Sequence, residues 1–136
     1  MHLTLLFLGD VPAERIASLQ AVGAAAAFEQ FTLRLDRIGC WKHNNIAWIA
    51  PSEMPPALAR LVDALEVGAA AEGFGFDRRP YTPHVTLVRK ARCVALDQVE
   101  PVPWPVTDFV LVRSELHGEG ARYRAIGRFP VTVAAQ

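Results

Sequence analysis

The chain has 136 residues, 51% of them apolar, enough to bury a real core as one domain over 1–136 and short for two independent ones. Fourteen basic residues balance fourteen acidic ones for a formal net charge of zero, which excludes a polybasic coat for long nucleic acid, so an anionic partner must be met locally. The apolar run Leu5 to Leu8 is far shorter than a membrane span and lacks the basic flank of a signal peptide, so no membrane partner is expected and the cytoplasm is the expected location.

In chain order, His2 to Leu8 reads as a buried strand with Phe7 in the core, closed by Gly9-Asp10. Pro12 suits the first position of a helix running to about Ala27. Phe31 to Ile38 alternates like a half-buried strand, with Ile46 to Ala50 as its hairpin partner across Lys42-His43-Asn44-Asn45. Leu58, Leu61, Val62, Leu65 and Ala69 repeat at helical spacing, defining a second helix opened by Pro55-Pro56 and stopped by Gly73 and Gly75. Pro83 excludes helix immediately before His84, so a strand is expected to start there. Pro101 to Pro105, holding Trp104, reads as a stiff connector. Val106 to Leu116 and Tyr123 to Phe129 form a closing hairpin over His117-Gly118-Glu119-Gly120. Cys40 and Cys93 are too few and too far apart for a zinc motif and are expected as two reduced thiols.

The chemistry lies in a repeat. Of four histidines, two stand in the same frame, His2-Leu3-Thr4-Leu5 and His84-Val85-Thr86-Leu87. In an extended strand side chains alternate, so each His and its Thr share one face while the aliphatic residues take the other. Two such strands would bring together two groups titrating near neutral pH and two hydroxyl donors, a set suited to acid–base attack on a phosphate ester rather than to metal binding. One His in an apolar strand is ordinarily a hydrogen-bonded core residue; its duplication with Thr favours a functional reading. His43 and His117 fall in turns and are expected to be solvated. Arg78, Arg79, Arg89, Lys90 and Arg92 gather positive charge around the second repeat, with Arg89 the preferred phosphate contact. Tyr81, Trp41 and Trp104 could stack on a base, although for such residues packing is the commoner role.

His2-Leu3-Thr4-Leu5-Leu6-Phe7-Leu8-Gly9-Asp10-Val11 and Arg79-Pro80-Tyr81-Thr82-Pro83-His84-Val85-Thr86-Leu87 closely resemble the two signature motifs of the two-histidine phosphoesterases, in particular the bacterial RNA 2′,3′-cyclic phosphodiesterases, also called 2′-5′ RNA ligases. The resemblance extends through Ile38-Gly39, Trp48, the run Phe109 to Leu116, Tyr123 and Arg128-Phe129-Pro130. It implies a bilobal α+β fold, with two antiparallel sheets related by a pseudo-twofold around a central cleft and helices on the outer faces. It further implies hydrolysis of RNA 2′,3′-cyclic phosphate ends to 2′-phosphates without metal or other cofactor, with reversible 2′-5′ ligation as a side reaction. By the same resemblance His2 donates a proton to the leaving 3′ oxygen and His84 activates water. Thr4 and Thr86, on the same faces, are placed to donate hydrogen bonds to the nonbridging oxygens, with Arg89 and Tyr81 as the further expected substrate contacts. Alternatives are a phosphodiesterase of small cyclic nucleotides such as ADP-ribose cyclic phosphate, and a noncatalytic module binding RNA ends. Family members usually carry a strand and a helix ahead of the first motif, which here begins at residue 2. An exposed sheet edge and self-association through it are therefore expected.

Overall fold

The computed structural model describes residues 2–90, 92–93, 99–118 and 120–133. Alternation builds strand β1 (Phe31–Leu35), which turns Leu33 and Leu35 inward and Thr32 and Arg34 outward. The expected single strand to Ile38 is instead divided at Asp36, and β2 (Arg37–Trp41) continues beyond it. The cause is local. Both carboxylate oxygens of Asp36 accept hydrogen bonds from Ser52, one from its N–H at 2.7 Å and one from its hydroxyl at 2.8 Å, pinning the bend at which the chain leaves one sheet for another. Those bonds, side chain first and backbone second, hold the Asp36 carboxyl below its ordinary value of 3.8. A depressed native pKa stabilises the fold above the unfolded value and ceases to do so as pH falls through the native one. Asp36→Asn should therefore lower the thermal midpoint at neutral pH, and the gap from wild type should close on acidification from about pH 4 downward; a gap independent of pH would refute the charged clamp.

β2 pairs with β3 (Ile46–Ala50) across the anticipated turn, and β3 pairs with β4 (Val85–Val88), giving an antiparallel order β2-β3-β4. The proline-rich stretch is not a connector but strand β5 (Val102–Val106), antiparallel to β1. Pro103 and Pro105 are tolerated because β5 is an edge, where a missing N–H costs no ladder bond. β6 (Asp108–His117) and β7 (Gly120–Pro130) form the closing hairpin; the expected solvation of the His117 side chain lies outside the described residues. Among the described residues the four strand ladders, in three sheets, are all antiparallel, and together with two helices they give the anticipated α+β class.

Helix α1 (Ile16–Ala25) follows a 3₁₀ turn over Ala13–Arg15 and is shorter at both ends than the proline and alanine signals suggested. It packs on the closing hairpin, where Gly23 admits the ring of Phe129: a Cβ there would lie 2.5 Å from Phe129 Cζ. Helix α2 (Pro56–Ala71) buries Leu58, Leu61, Val62, Leu65 and Ala69, the same five residues its periodicity selected. Leu58 and Val62 join Leu33, Leu35, Ile49 and Val85 in a core cluster against which Leu3, Leu5, Leu87 and Tyr81 pack. That cluster is the floor beneath both histidine segments.

The first segment departs from expectation. Among the described residues, His2 to Leu8 form no strand and make one ladder contact, the antiparallel bridge Leu3–Val85. A bend at Leu5 changes the phase: Leu3 and Leu5 face one core cluster, then Leu6 and Leu8 face another. Phe7 falls between them and is 73% exposed, not a core residue.

Candidate active site

The Leu3–Val85 bridge sets the geometry. In an antiparallel pair the residues flanking a directly opposed couple are themselves opposed, so His2 faces Thr86 and Thr4 faces His84. Leu3 and Val85 are directed to the core, which turns all four motif side chains to the other face. In that pairing His2 and His84 are diagonal positions, about 7–8 Å apart at the backbone. His2 and Thr4 are exposed, His84 and Thr86 half-buried.

His84 is held at two points. Its Nδ1 lies 3.0 Å from the carbonyl oxygen of Thr82; a carbonyl can only accept, so Nδ1 carries the hydrogen and donates it. In the neutral ring this leaves Nε2 as the acceptor. The Trp41 ring meets His84 edge-on with centroids 4.8 Å apart, and Trp41 leans in turn on Trp48 at 5.7 Å. Trp48 finds room because Gly39 has no side chain; a Cβ at Gly39 would collide with the indole. The first motif is held differently. The Tyr81 hydroxyl donates to the carbonyl of Thr4 at 2.8 Å, and burial pushes the Tyr81 phenol well above its ordinary pKa, so it stays a donor. Tyr123 packs on His2 with centroids 5.4 Å apart.

Arg89 and Lys90 leave the end of β4, and both are exposed, as is Arg92. Arg79, by contrast, is occupied by Asp77, which its guanidinium contacts at 2.5 Å. His43 is exposed in its turn, as anticipated, and Trp104 is 37% exposed on β5. A cleft of about 510 Å³ opens beside His2 and Thr4, walled by Leu6, Phe109, Leu111 and Tyr123. Among the described residues no three His, Cys, Asp or Glu side chains gather as a metal site, and no helix is long and apolar enough to cross a membrane. The expected reduced thiols are corrected: Cys40 and Cys93 form a disulfide, because the fold brings together residues that spacing alone could not relate. Sequence reasoning also passed over the Tyr123–His2 contact and the Thr82 carbonyl. Tyr123 stood among the residues of the family resemblance, but nothing in the sequence related it to His2, and a backbone acceptor carries no signal.

A profile of the 2′-5′ RNA ligase superfamily matches residues 1–118. The chain is 33% identical over 134 residues to an RNA 2′,3′-cyclic phosphodiesterase of Escherichia coli, covering 97% of this chain and 76% of that protein. It is 35% identical over 144 residues to one from Thermus thermophilus, covering 95% and 71%. Among solved structures, E. coli LigT complexed with 3′-AMP superposes with a TM-score of 0.85 at 32% identity, over 97% of this chain and 77% of that one.

Proposed function

The chain belongs to the 2′-5′ RNA ligase superfamily, and from that premise we propose that it hydrolyses RNA 2′,3′-cyclic phosphate ends to 2′-phosphates by two-histidine acid–base catalysis, working as one domain. The observation that carries this is the Leu3–Val85 bridge, which turns two His-x-Thr segments onto one face. Opening the cyclic ester needs a base to take a proton from water and an acid to protonate the departing 3′ oxygen. His84, with Nδ1 committed to Thr82, presents a basic Nε2 and is the acceptor. His2 is the donor. Thr4 and Thr86 donate to the nonbridging oxygens, where transition-state charge gathers. Arg89 draws the phosphate in, and Tyr81 contributes to binding by fixing the backbone at Thr4. The same ring opening with a 5′ hydroxyl in place of water gives a 2′-5′ linkage and a free 3′ hydroxyl, a reversible ligation that accompanies hydrolysis.

The test is turnover of a cyclic-phosphate dinucleotide in EDTA, with ADP-ribose cyclic phosphate as comparison. The expected result is a 2′-phosphate product, undiminished by the chelator, and a higher kcat/KM on the dinucleotide. A preference for the ADP-ribose compound would move the assignment to small cyclic nucleotides, and binding without turnover would make the chain an RNA-end binding module. The expected compartment is the cytoplasm. Exposed Phe7 and the backbone of His2 to Leu8, which among the described residues makes the single bridge Leu3–Val85, form the edge through which a second copy docks. Sedimentation should then show a concentration-dependent dimer that Phe7→Lys weakens; a monomer at all concentrations would dismiss the contact.

A further inference from the structure

Cys40 lies in β2 opposite Ala47, and Ala47 lies opposite Val88 at the end of β4. Cys40 is thus two strand spacings, about 10 Å, from the strand that carries the second motif. Cys93 nonetheless bonds to it, with Cα atoms 5.5 Å apart, so the chain leaving β4 must turn at once across the sheet. It does so at Lys90, whose φ of 58° lies in the left-handed region, a conformation uncommon for lysine and kept where the surroundings enforce it. The segment so folded carries Arg89, Lys90 and Arg92, all exposed and none paired with a carboxylate among the described residues. At its other end the disulfide sits next to Trp41, the residue that packs on His84. One covalent bond therefore links three exposed cations to the strand that supports the proposed base.

We propose that the Cys40–Cys93 disulfide positions this cationic segment for phosphate capture, and that its reduction lowers substrate affinity. The inference rests on the hydrolase reading above. Both cysteines are half-buried rather than enclosed, within reach of a dithiol reductant of the thioredoxin class. A reductant thiolate attacks one sulfur, the mixed disulfide is resolved by the second reductant thiol, and the reductant leaves as its own disulfide; the two protein sulfurs gain two electrons and two protons. In a reducing compartment cystines are usually transient and redox-sensing, which suits a bond placed beside a substrate site. A staple serving stability alone would constrain the unfolded chain without touching substrate affinity, and this difference is what the experiment reads.

The protein is equilibrated with oxidised or reduced dithiothreitol, its free thiols are counted, and KM and kcat for the cyclic-phosphate dinucleotide are measured at two salt concentrations. The oxidised form should show no free thiol. Reduction should release two and raise KM about tenfold, the weight of one lost charge-assisted contact, with kcat within about twofold. The salt dependence of KM should flatten on reduction, since fewer cations meet the phosphate. Cys40→Ser/Cys93→Ser should match the reduced enzyme and ignore the dithiol. Two free thiols under oxidising conditions, or equal KM in both redox states, would overturn the proposal. A change in thermal midpoint with KM unmoved would show a staple only, and overturn it too. Absence of turnover in either state would instead refute the hydrolase reading.

Discussion

His84→Ala is expected to lower kcat for a cyclic-phosphate dinucleotide by about a hundredfold or more, the ordinary weight of a general base, while the protein stays folded. The loss belongs to the chemistry because His84 is not a core residue: it is half-buried, and the carbonyl it leaves behind belongs to exposed Thr82, where water replaces the lost donor. Trp41 keeps its contact with Trp48. His84→Asn sharpens the experiment, since an amide still donates to a carbonyl yet offers no base near neutral pH; it should be as inactive as the alanine variant. Thermal midpoints of both should remain close to wild type. Turnover near wild type in either would dismiss His84 as the base.

The largest loss of stability should follow Phe28→Ala. Phe28 is wholly buried, with edge-on ring contacts to Phe31 at 6.3 Å and Phe109 at 5.3 Å, and so joins β1 to the closing hairpin. Its backbone also secures the chain beyond β7: the N–H groups of Thr132 and Val133 donate to its carbonyl at 2.8 and 3.0 Å. Emptying that space should cost about 3–5 kcal/mol, readable from urea unfolding, with kcat little changed where the variant remains folded. A loss below about 1 kcal/mol would mean that the surrounding aromatics close the cavity.

Helix α2 was legible in the sequence because one periodic pattern decides it: its five predicted positions are buried, and no tertiary partner had to be known. The strand of the second His-x-Thr segment was legible from alternation along the chain, whereas the first, among the described residues, forms no strand and takes its face from the remote bridge to Val85. Pairing was less accessible. That β1 ends at Asp36 depends on Ser52, and that the proline stretch forms an edge strand depends on β1 offering a ladder; each is a contact remote in sequence. Phe7 was misjudged because hydrophobicity was read without phase, and the bend at Leu5 reverses it. The Cys40–Cys93 bond, across a separation of 53 residues, followed from a turn at Lys90 that has no distinctive residue type. At the site, the motif residues could be named from sequence, but the groups that orient them could not, because Thr82 acts through its backbone and Trp41 reaches His84 from another strand.

The division of labour between the two histidines is tested most directly by the pH dependence of kcat/KM in wild type, His2→Ala and His84→Ala. His84 must be neutral to accept a proton, so activity should rise with pH through its titration; His2 must be charged to donate, so activity should fall through its own. The wild-type profile should be a bell whose two apparent pKa values belong to the coupled pair. Residual activity of His84→Ala should have lost the acidic limb, and that of His2→Ala the alkaline limb. Limbs lost in the opposite order, or a bell unchanged in either variant, would contradict the assignment of base and acid.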